Sequence, residues 1–356
     1  MMEQIASEPL SGVFLFVSPS FDFDDVVTAV SRFAPQTRVA ACSTAGEIAA
    51  DGYAEDTIVA IGFPASLFDI SPIVVENLHG IDRNKLITKL IRSRAMMKSR
   101  NPDFAFEFGM LLPDGLSLGE ESLMSALLPA LGSLQIFGGS SGDGQRFERT
   151  RLYYNGQQLE GGSIIFLVRS RCKCHLFRID NFTASSKRMV VTDADASARL
   201  VRRINDEPAA QEYARILGLE PHQLCLETFV ANPLALRIGS SHYVRSILKL
   251  TPDGHLLFSC AIDEGMVLNL AVEALISEHL DSFLESLKTK EEPAMILGFD
   301  CLFRRLASAQ NNCQEAVSRI LAKHKMVGFS TYGEQYGTLH VNQTLVGAAI
   351  YPAAEF

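Results

Sequence analysis

Two turns near opposite ends of the chain repeat one arrangement of polar residues. The stretches CSTAGE, ending at Glu47, and FSTYGE, ending at Glu334, both contain Ser-Thr-x-Gly-Glu. Glycine permits backbone conformations closed to other residues, and the acid after it can cap the turn or face a cleft. Turn architecture is the interpretation that the residue types favour. Because ligands of α/β proteins collect beyond strand ends, the two turns could alternatively frame one shared ligand pocket. The predicted lining is Ser43, Thr44, Gly46, Glu47, Ser330, Thr331, Gly333, Glu334 and Asn342.

The cysteines offer a weak metal signal. Cys172 and Cys174, in the stretch CKCH, share one face of a predicted strand. A zinc site wants about four ligands, and this pair supplies two. Cys301 is a third candidate, but only the fold could bring it near the pair. The pattern therefore favours buried, reduced, metal-free thiols.

The histidines offer candidate ligands but no catalytic signature. None of the eight belongs to an HExxH or HxH group. His242 opens the strand-like stretch HYVRSILKL, and His340 lies in the loop after the second turn. Both are candidates to ligate a bound group, with a structural role as the alternative. Since there is also no G-x-S-x-G nucleophile elbow, we do not expect an enzyme.

The two turns lie in matching series of predicted elements, each with a strand, a helix, a strand, the turn and a further strand. A third, weaker copy ends in GGSSGDG, where Gly142 and Asp143 align with Gly46 and Glu47. We therefore predict a mixed α/β fold with an internal duplication into two similar halves, sheets covered by helices, and the pocket near the strand-end turns. The predicted strand–helix–strand series are 12–17, 24–33 and 38–42; 104–112, 118–131 and 134–137; and 294–299, 313–323 and 325–329.

Other segments fill the space between these copies. Further helices are predicted at 84–98, 207–217 and 269–287, and a β-hairpin is predicted around the turn TPDG. The sparse stretch 183–198 is predicted to join the two halves.

Composition narrows the function classes. With 356 residues, 47% hydrophobic and 21% charged, the chain is typical of a globular protein. A net charge of -9 argues against nucleic-acid and anionic-membrane partners. No apolar stretch reaches the roughly 18 residues of a membrane span, and the start MMEQIASEPLSG does not read as a signal peptide. Seven scattered cysteines indicate a reducing compartment, so we expect a cytoplasmic protein.

Seven stretches in order resemble the FIST family of sensory proteins, which pairs an N-terminal with a C-terminal FIST domain. The resemblance predicts a FIST N domain at 22–182 and a FIST C domain at 183–350. The stretches are CSTAGEI, GGSSGDGQRF, NDEPAAQEYARILGL, YVRSILKLTPDG, CAIDEGMVL, GFDCLFRRL and GFSTYGEQYGTLHVNQT.

The resemblance also implies a function. Stand-alone proteins of this length resemble the nitric-oxide-sensing branch, which binds haem and controls a separate histidine kinase or a cyclic-di-GMP enzyme, either a diguanylate cyclase or a phosphodiesterase. His340 or His242 would then hold the iron, with Tyr243 or Cys301 as alternatives. Arg237 and Arg245 could pair with the haem propionates. The alternative is a haem-free module for amino-acid-like ligands, and a homo-oligomer is left open.

Overall fold

A computed structural model describes residues 8–33, 35–274, 276–288 and 291–353. The first seven residues, on which most of the expectation about a signal peptide rests, lie outside these ranges. Within the described residues, no helix has the length and apolar character needed to cross a membrane.

Three similar units form about half of the chain. In each unit a first strand runs parallel to a second, one or two helices connect them, and a third strand lies antiparallel on the other side of the first. The first unit contains β1 (Leu10–Val17), α1 (Phe23–Phe33), β2 (Val39–Ser43), β3 (Glu47–Ala49), β4 (Gly52–Ala54) and β5 (Ile58–Pro64). The first unit is followed by β6 (Phe68–Val75) and α2 (Arg83–Arg100). The N-cap residue of α2, Asp82, accepts a hydrogen bond from the amide of Lys85.

The middle and last units have the same order of elements. The middle unit contains β7 (Phe106–Pro113), α3 (Glu120–Leu131), β8 (Ile136–Gly139), β9 (Leu152–Tyr154), β10 (Gln157–Leu159) and β11 (Ser163–Ser170). Further strands and α-helices lie between the middle and last units. They are β12 (Cys174–Asp180), β13 (Phe182–Asp195), β14 (Leu200–Ile204), β15 (Glu207–Pro208), α4 (Ala209–Leu217), α5 (Leu226–Ala231), β16 (Leu234–Ile238), β17 (Ser241–Arg245), β18 (Ile247–Leu250), β19 (Leu256–Phe258), β20 (Val267–Glu273) and α6 (Ile276–Ser286). The last unit contains β21 (Met295–Cys301), α7 (Leu302–Gln310), α8 (Gln314–Lys323), β22 (Met326–Thr331), β23 (Glu334–Tyr336), β24 (Leu339–Val341) and β25 (Thr344–Ile350).

The mixed α/β fold predicted from the sequence is confirmed, as is the equivalence of the two Ser-Thr-x-Gly-Glu turns. Ser43 ends β2 opposite Val17 of β1, and Ser330 lies near the end of β22 opposite Asp300 of β21, in the same parallel register. The weaker third copy is a complete unit as well.

Each unit gives its hairpin to the sheet of another unit. The hairpin β3–β4 pairs with β22, β23–β24 pairs with β8, and β9–β10 pairs with β2. The exchange is cyclic, so it closes the three sheets into a ring. Since every sheet contains strands from two units, we expect the units to fold together.

Backbone bonds beyond the three strand ends follow the same cycle. Three serines, Ser43, Ser140 and Ser330, occupy equivalent places there. The amides of Gly142, Ala45 and Tyr332 donate to the carbonyls of Ser43, Ser330 and Ser140, at 3.0, 2.9 and 3.2 Å.

The sequence alignment of the middle turn is wrong by one residue. These bonds place Gly142 where Ala45 and Tyr332 lie, rather than where Gly46 lies. In the middle unit, the residue that corresponds to Glu47 and Glu334 lies opposite Cys42, and it is Leu152. The middle unit therefore lacks the buried glutamate of the other two.

A fourth sheet, formed by strands β13 to β20, lies between the middle and last units along the chain. Its strand order is β17-β16-β20-β13-β14-β19-β18, with β15 paired to β14. Two predictions fail here. The predicted joint at 183–198 is largely the long strand Phe182–Asp195, and the predicted helix at 269–287 is helical only over Ile276–Ser286, because its first residues belong to β20. Short 3₁₀ helices lie at Leu78–Gly80 and Pro221–Gln223.

Phenylalanines from all three units meet where the ring of sheets closes. The ring of Phe299 lies 5.3 Å from that of Phe137 and 5.8 Å from that of Phe16. Phe16 also lies 4.5 Å from Phe329, and all four are essentially inaccessible to solvent. Such aromatic pairs add about 0.5–1.5 kcal/mol each beyond the burial of their area. The ring therefore has one shared apolar core.

Candidate functional site

The two turn glutamates have the same hydrogen bonds. Glu47 accepts from the hydroxyl of Thr44 and from the amide and hydroxyl of Thr57. Glu334 accepts from Thr331 and Thr344 in the same way, with the hydroxyl of Thr344 at 2.8 Å. Burial raises the pKa of Glu47, and it raises that of Glu334 to about 8. Both carboxyl groups therefore hold strands together inside the fold.

The glycines of the turns leave no room for a side chain. Gly46 has a φ of 123°, and a Cβ there would lie 1.9 Å from Nη1 of Arg305. A Cβ on Gly333 would lie 2.4 Å from Cε1 of His340 and 3.3 Å from Nδ2 of Asn342. Gly46 is therefore favoured by its backbone conformation and by close contact, and Gly333 by close contact alone.

A small, mostly buried cavity lies beside the second turn. It has room for about one water molecule. Two of the predicted pocket residues, Thr331 and Asn342, are part of its wall, while Ser43 lines a separate surface groove. The full lining is Phe147, Ser246, Leu248, Ser259, Cys301, Leu302, Phe303, Thr331, Tyr332 and Asn342.

Several buried polar atoms at this cavity have no partner among the described residues. Both atoms of the Asn342 side-chain amide are unpaired, and so is the hydroxyl of Ser246. The hydroxyl of Ser330 and Oε1 of Gln335 and of Gln343 are unpaired nearby in the chain. A buried polar group without a partner costs about 1–3 kcal/mol. A polar molecule in the cavity would remove that cost for the lining atoms.

Comparison with known families identifies the architecture. The sequence model of the FIST N domain matches residues 12–207, and that of the FIST C domain matches residues 209–337. Together they span most of the chain. The chain belongs to the FIST family. FIST domains are sensory modules of signal transduction. No curated protein matches the chain.

The cavity lies where the two FIST domains meet. One wall residue comes from the stretch matched to FIST N and eight from that matched to FIST C, while Asn342 lies beyond both matches. Phe147 comes from the stretch matched to FIST N, while Ser246, Cys301 and Tyr332 come from the stretch matched to FIST C. The stacked rings of Phe147 and Tyr332, with centroids 4.3 Å apart, connect the two domains at the wall. A ligand there would contact both.

An uncompensated cation lies next to the cavity wall. Arg245 is 8% exposed and precedes the lining residue Ser246. Its Nη1 donates to the carbonyls of His340, at 3.2 Å, and Val244, and its Nε has no partner. Within the described ranges its guanidinium forms no ion pair. Arg245 itself is not part of the cavity lining, but because a buried charge is costly unless paired, an anion within its reach would be stabilised.

His340 does not fit the role of haem ligand predicted for it. Its Nδ1 lies 3.3 Å from Nε2 of Gln335 and its Nε2 lies 3.3 Å from the carbonyl of Ser259, so both ring nitrogens have protein partners. The ring is 4% exposed, and the adjoining cavity has room for about one water molecule. A porphyrin cannot enter without rebuilding the fold here.

His242 lies in a different place, an open groove of about 420 Å³ on the fourth sheet. Arg237 and Arg188 line the same groove, with the apolar residues Leu236 and Val267. Tyr243 follows His242 in the strand and packs under the guanidinium of Arg178, 4.5 Å from its ring centre. The structure therefore separates the predicted haem residues, placing His242 and Arg237 in the groove and His340 and Arg245 inside.

The cysteine candidates do not come together as a ligand set among the described residues. Burial raises the pKa of Cys172 and raises that of Cys174 to about 12, so both are thiols rather than thiolates. Cys301 lines the cavity instead. The one triad with metal-ligand spacing in the described ranges is Asp281, Glu285 and His324, and the ammonium of Lys323 lies 2.8 Å from both of its carboxylates. That triad reads as an ion-pair network.

Sequence reasoning missed the buried network behind the cavity. Arg199 bonds to Glu120 at 2.6 Å, to Glu121 at 2.7 Å and to the carbonyl of Ser259 at 2.7 Å. The carboxylate of Glu121 also accepts a hydrogen bond from the amide of Ala261 at 2.8 Å. The network joins the middle unit to the fourth sheet. The only sign of this network in the sequence is the pair of adjacent acids at the start of helix α3. Acids are ordinary residues at the start of a helix, so the pair did not indicate a network.

Proposed function

We propose that this FIST protein is a sensory receptor whose ligand is a small polar molecule bound in the cavity where its two domains meet. The unpaired amide of Asn342 carries the proposal. A side chain that is fully buried and has both polar atoms unpaired is unfavourable for stability, and a ligand that pairs with it offsets the cost.

The charge of Arg245 near the cavity and the unpaired polar atoms of Asn342 and Ser246 in an otherwise apolar wall favour a ligand with a carboxylate. Guanidinium matches carboxylate geometry, and the amide of Asn342 with the hydroxyl of Ser246 could bind a second polar group. Free amino acids combine these features. The cavity admits about one water molecule as it stands, so binding an amino acid requires the wall to move.

The test is ligand-dependent stability. We expect the melting temperature of the purified protein to rise with one or more members of a panel of free amino acids, and not with their amides, since a ligand that binds only the folded state stabilises it. Asn342→Leu should abolish this rise. The same variant should melt no lower than wild type without ligand, because leucine removes the unpaired amide.

The matched control is Asn269→Leu. Asn269 lines the groove of His242 and donates to the carbonyl of Ser185 at 2.9 Å. Its loss should lower stability but leave the amino-acid response. A panel without any response, or a response that survives Asn342→Leu, would contradict the proposal.

Haem in the groove is a second candidate, and the position of His242 favours it. The half-buried imidazole of His242 would hold the iron, Arg188 and Arg237 could pair with the propionates, and Val267 would offer apolar contact. Bound haem would supply a site for nitric oxide. Reconstituted wild type and His340→Ala should then show a Soret band that His242→Ala lacks. A wild type without the band, or a band retained by His242→Ala, would reject haem there.

In either form, we propose that the receptor acts through a separate signalling enzyme, a histidine kinase or an enzyme of cyclic-di-GMP turnover. The family resemblance supports this output. Co-purification of such an enzyme whose activity changes with ligand would test it.

A further inference from the structure

Two residues of the cavity wall are less buried than the rest. Of its ten lining residues, eight are buried, and the half-buried ones are Phe147 and Leu248. Leu248 is the bulge residue of strand β18, and its neighbours Ile247 and Lys249 pair with Phe258 and Leu257 of β19. Phe147 lies in the loop between β8 and β9, where Gln145, Arg146, Glu148 and Arg149 are exposed. The loop is therefore the most exposed side of the cavity, and it can move without breaking strand pairing.

Asp143 and Tyr332 make most of the contacts that hold this loop in place. The hydroxyl of Tyr332 accepts from the amides of Asp143 and Phe147, at 3.1 and 3.2 Å, and the amide of Gly144 donates to the carbonyl of Thr44 at 3.0 Å. The carboxylate of Asp143 accepts bonds from the amides of Phe147, Glu148 and Arg149, at 2.9, 3.0 and 2.8 Å. The hydroxyl of Tyr332 bonds to Asp143 and also to the carbonyl of Gly144. Loss of these contacts would release the loop without breaking a strand.

The closed position strains the residue that seals the cavity. Phe147 has a φ of 55°, a left-handed conformation that L side chains rarely adopt. Outward movement of the loop would relieve that strain. The stacked pair of Phe147 and Tyr332 opposes the movement.

We propose that segment 144–149 is a gate and that Phe147 is its plug, controlling entry to the cavity. The inference rests on the proposed function, since it concerns how a ligand reaches that site. Because Asp143 lies in the FIST N match and Tyr332 in the FIST C match, the position of the gate depends on contacts between both domains.

Cys301 allows a test that needs no ligand. Its thiol lines the cavity, is 4% exposed and has a pKa raised by burial, so it reacts only when solvent enters. We would measure its modification rate by methyl methanethiosulfonate, peptide by peptide, with the fully buried Cys42 as reference. Phe147→Gly removes the plug, and glycine accepts the left-handed backbone. It should speed modification of Cys301 about tenfold and leave Cys42 unchanged.

The control variant is Asn155→Gly, which replaces another positive-φ residue in a turn away from the cavity. It should change neither rate. Equal rates at Cys301 in Phe147→Gly and wild type would overturn the gate. If Cys42 also speeds up, Tyr332→Phe decides, because it keeps the ring and removes the hydroxyl bonds. Selective acceleration of Cys301 there supports the gate, and parallel acceleration of both cysteines, or none, rejects it. If the modification rates of Cys301 support the gate but no amino acid raises the melting temperature, only the proposed ligand class is wrong.

Discussion

Glu334 accepts hydrogen bonds from both the amide and the hydroxyl of Thr344, which lies on the strand that closes the last unit. Glu47 and Thr57 form the same pair in the first unit. In the middle unit Leu152 and Gly162 lie at the corresponding places, so the acid and its threonine are absent together. The pair is therefore a structural device of two units.

The buried acid should make stability fall as pH rises. Burial raises the pKa of Glu334 from its ordinary 4.5 to about 8, so the folded protein keeps a proton that the unfolded chain releases. This contribution is fully present below pH ~4.5 and is lost as pH rises through ~8, with a limiting slope of about 1.4 kcal/mol per pH unit between them. Glu334→Gln, which is neutral and of similar shape, should flatten the slope.

Urea unfolding at a series of pH values measures this effect. The difference between variant and wild type should grow in favour of the variant from about pH 5 to pH 8. Parallel pH profiles for the two proteins would show that Glu334 is ionised in the fold.

The sequence predicted the repeated units because their strands and helices are local patterns. β1, α1 and β2 recur as β21, α8 and β22 with the same turn residues. The exchange of hairpins could not be predicted, since short strands such as Glu47–Ala49 show no preference for one partner sheet. The prediction of a helix at 269–287 was wrong because the apolar residues of strand β20 come just before those of helix α6. The alternation of the strand and the helical spacing therefore could not be told apart.

The candidate site was predicted in part. Thr331 and Asn342 came from the turn pattern, but Phe147, Ser246 and Cys301 come from three distant segments and share no motif. Which polar atoms stay unpaired depends on packing, so no sequence pattern could mark them. His340 is a ligand candidate by residue type, and the features that oppose this role, its burial and its bonds to Gln335 and Ser259, depend on the fold.

Replacing the turn glycines with alanine should separate backbone strain from crowding. Gly156 has a φ of 95° and open space, so Gly156→Ala should cost on the order of 1–2 kcal/mol from the backbone alone. Gly333→Ala meets His340 at an ordinary φ, and Gly46→Ala combines both effects. We expect Gly46→Ala to have the lowest free energy of unfolding of the three. A value near that of Gly156→Ala would show that Arg305 moves aside without cost.

The thiols Cys172 and Cys174 should be reduced and free of metal in the purified protein. Burial keeps them protonated, and two sulfurs are half of a zinc ligand set. Elemental analysis should give no stoichiometric zinc, and both should react with a thiol reagent after unfolding in urea. Zinc that disappears in Cys174→Ser would contradict the expectation.

Arg199 should be one of the most sensitive residues outside the apolar core. It is 3% exposed and compensates Glu120, which is also buried. Arg199→Met leaves that carboxylate without its cation, and breaking a buried ion pair from one side costs about 3–5 kcal/mol. The double variant Arg199→Met with Glu120→Gln removes both charges and should recover part of the loss. Urea unfolding of the two variants and of wild type measures the free energies. A double variant no more stable than Arg199→Met would mean that Arg199 acts mainly through its bond to the carbonyl of Ser259, at 2.7 Å, and not through the buried carboxylate.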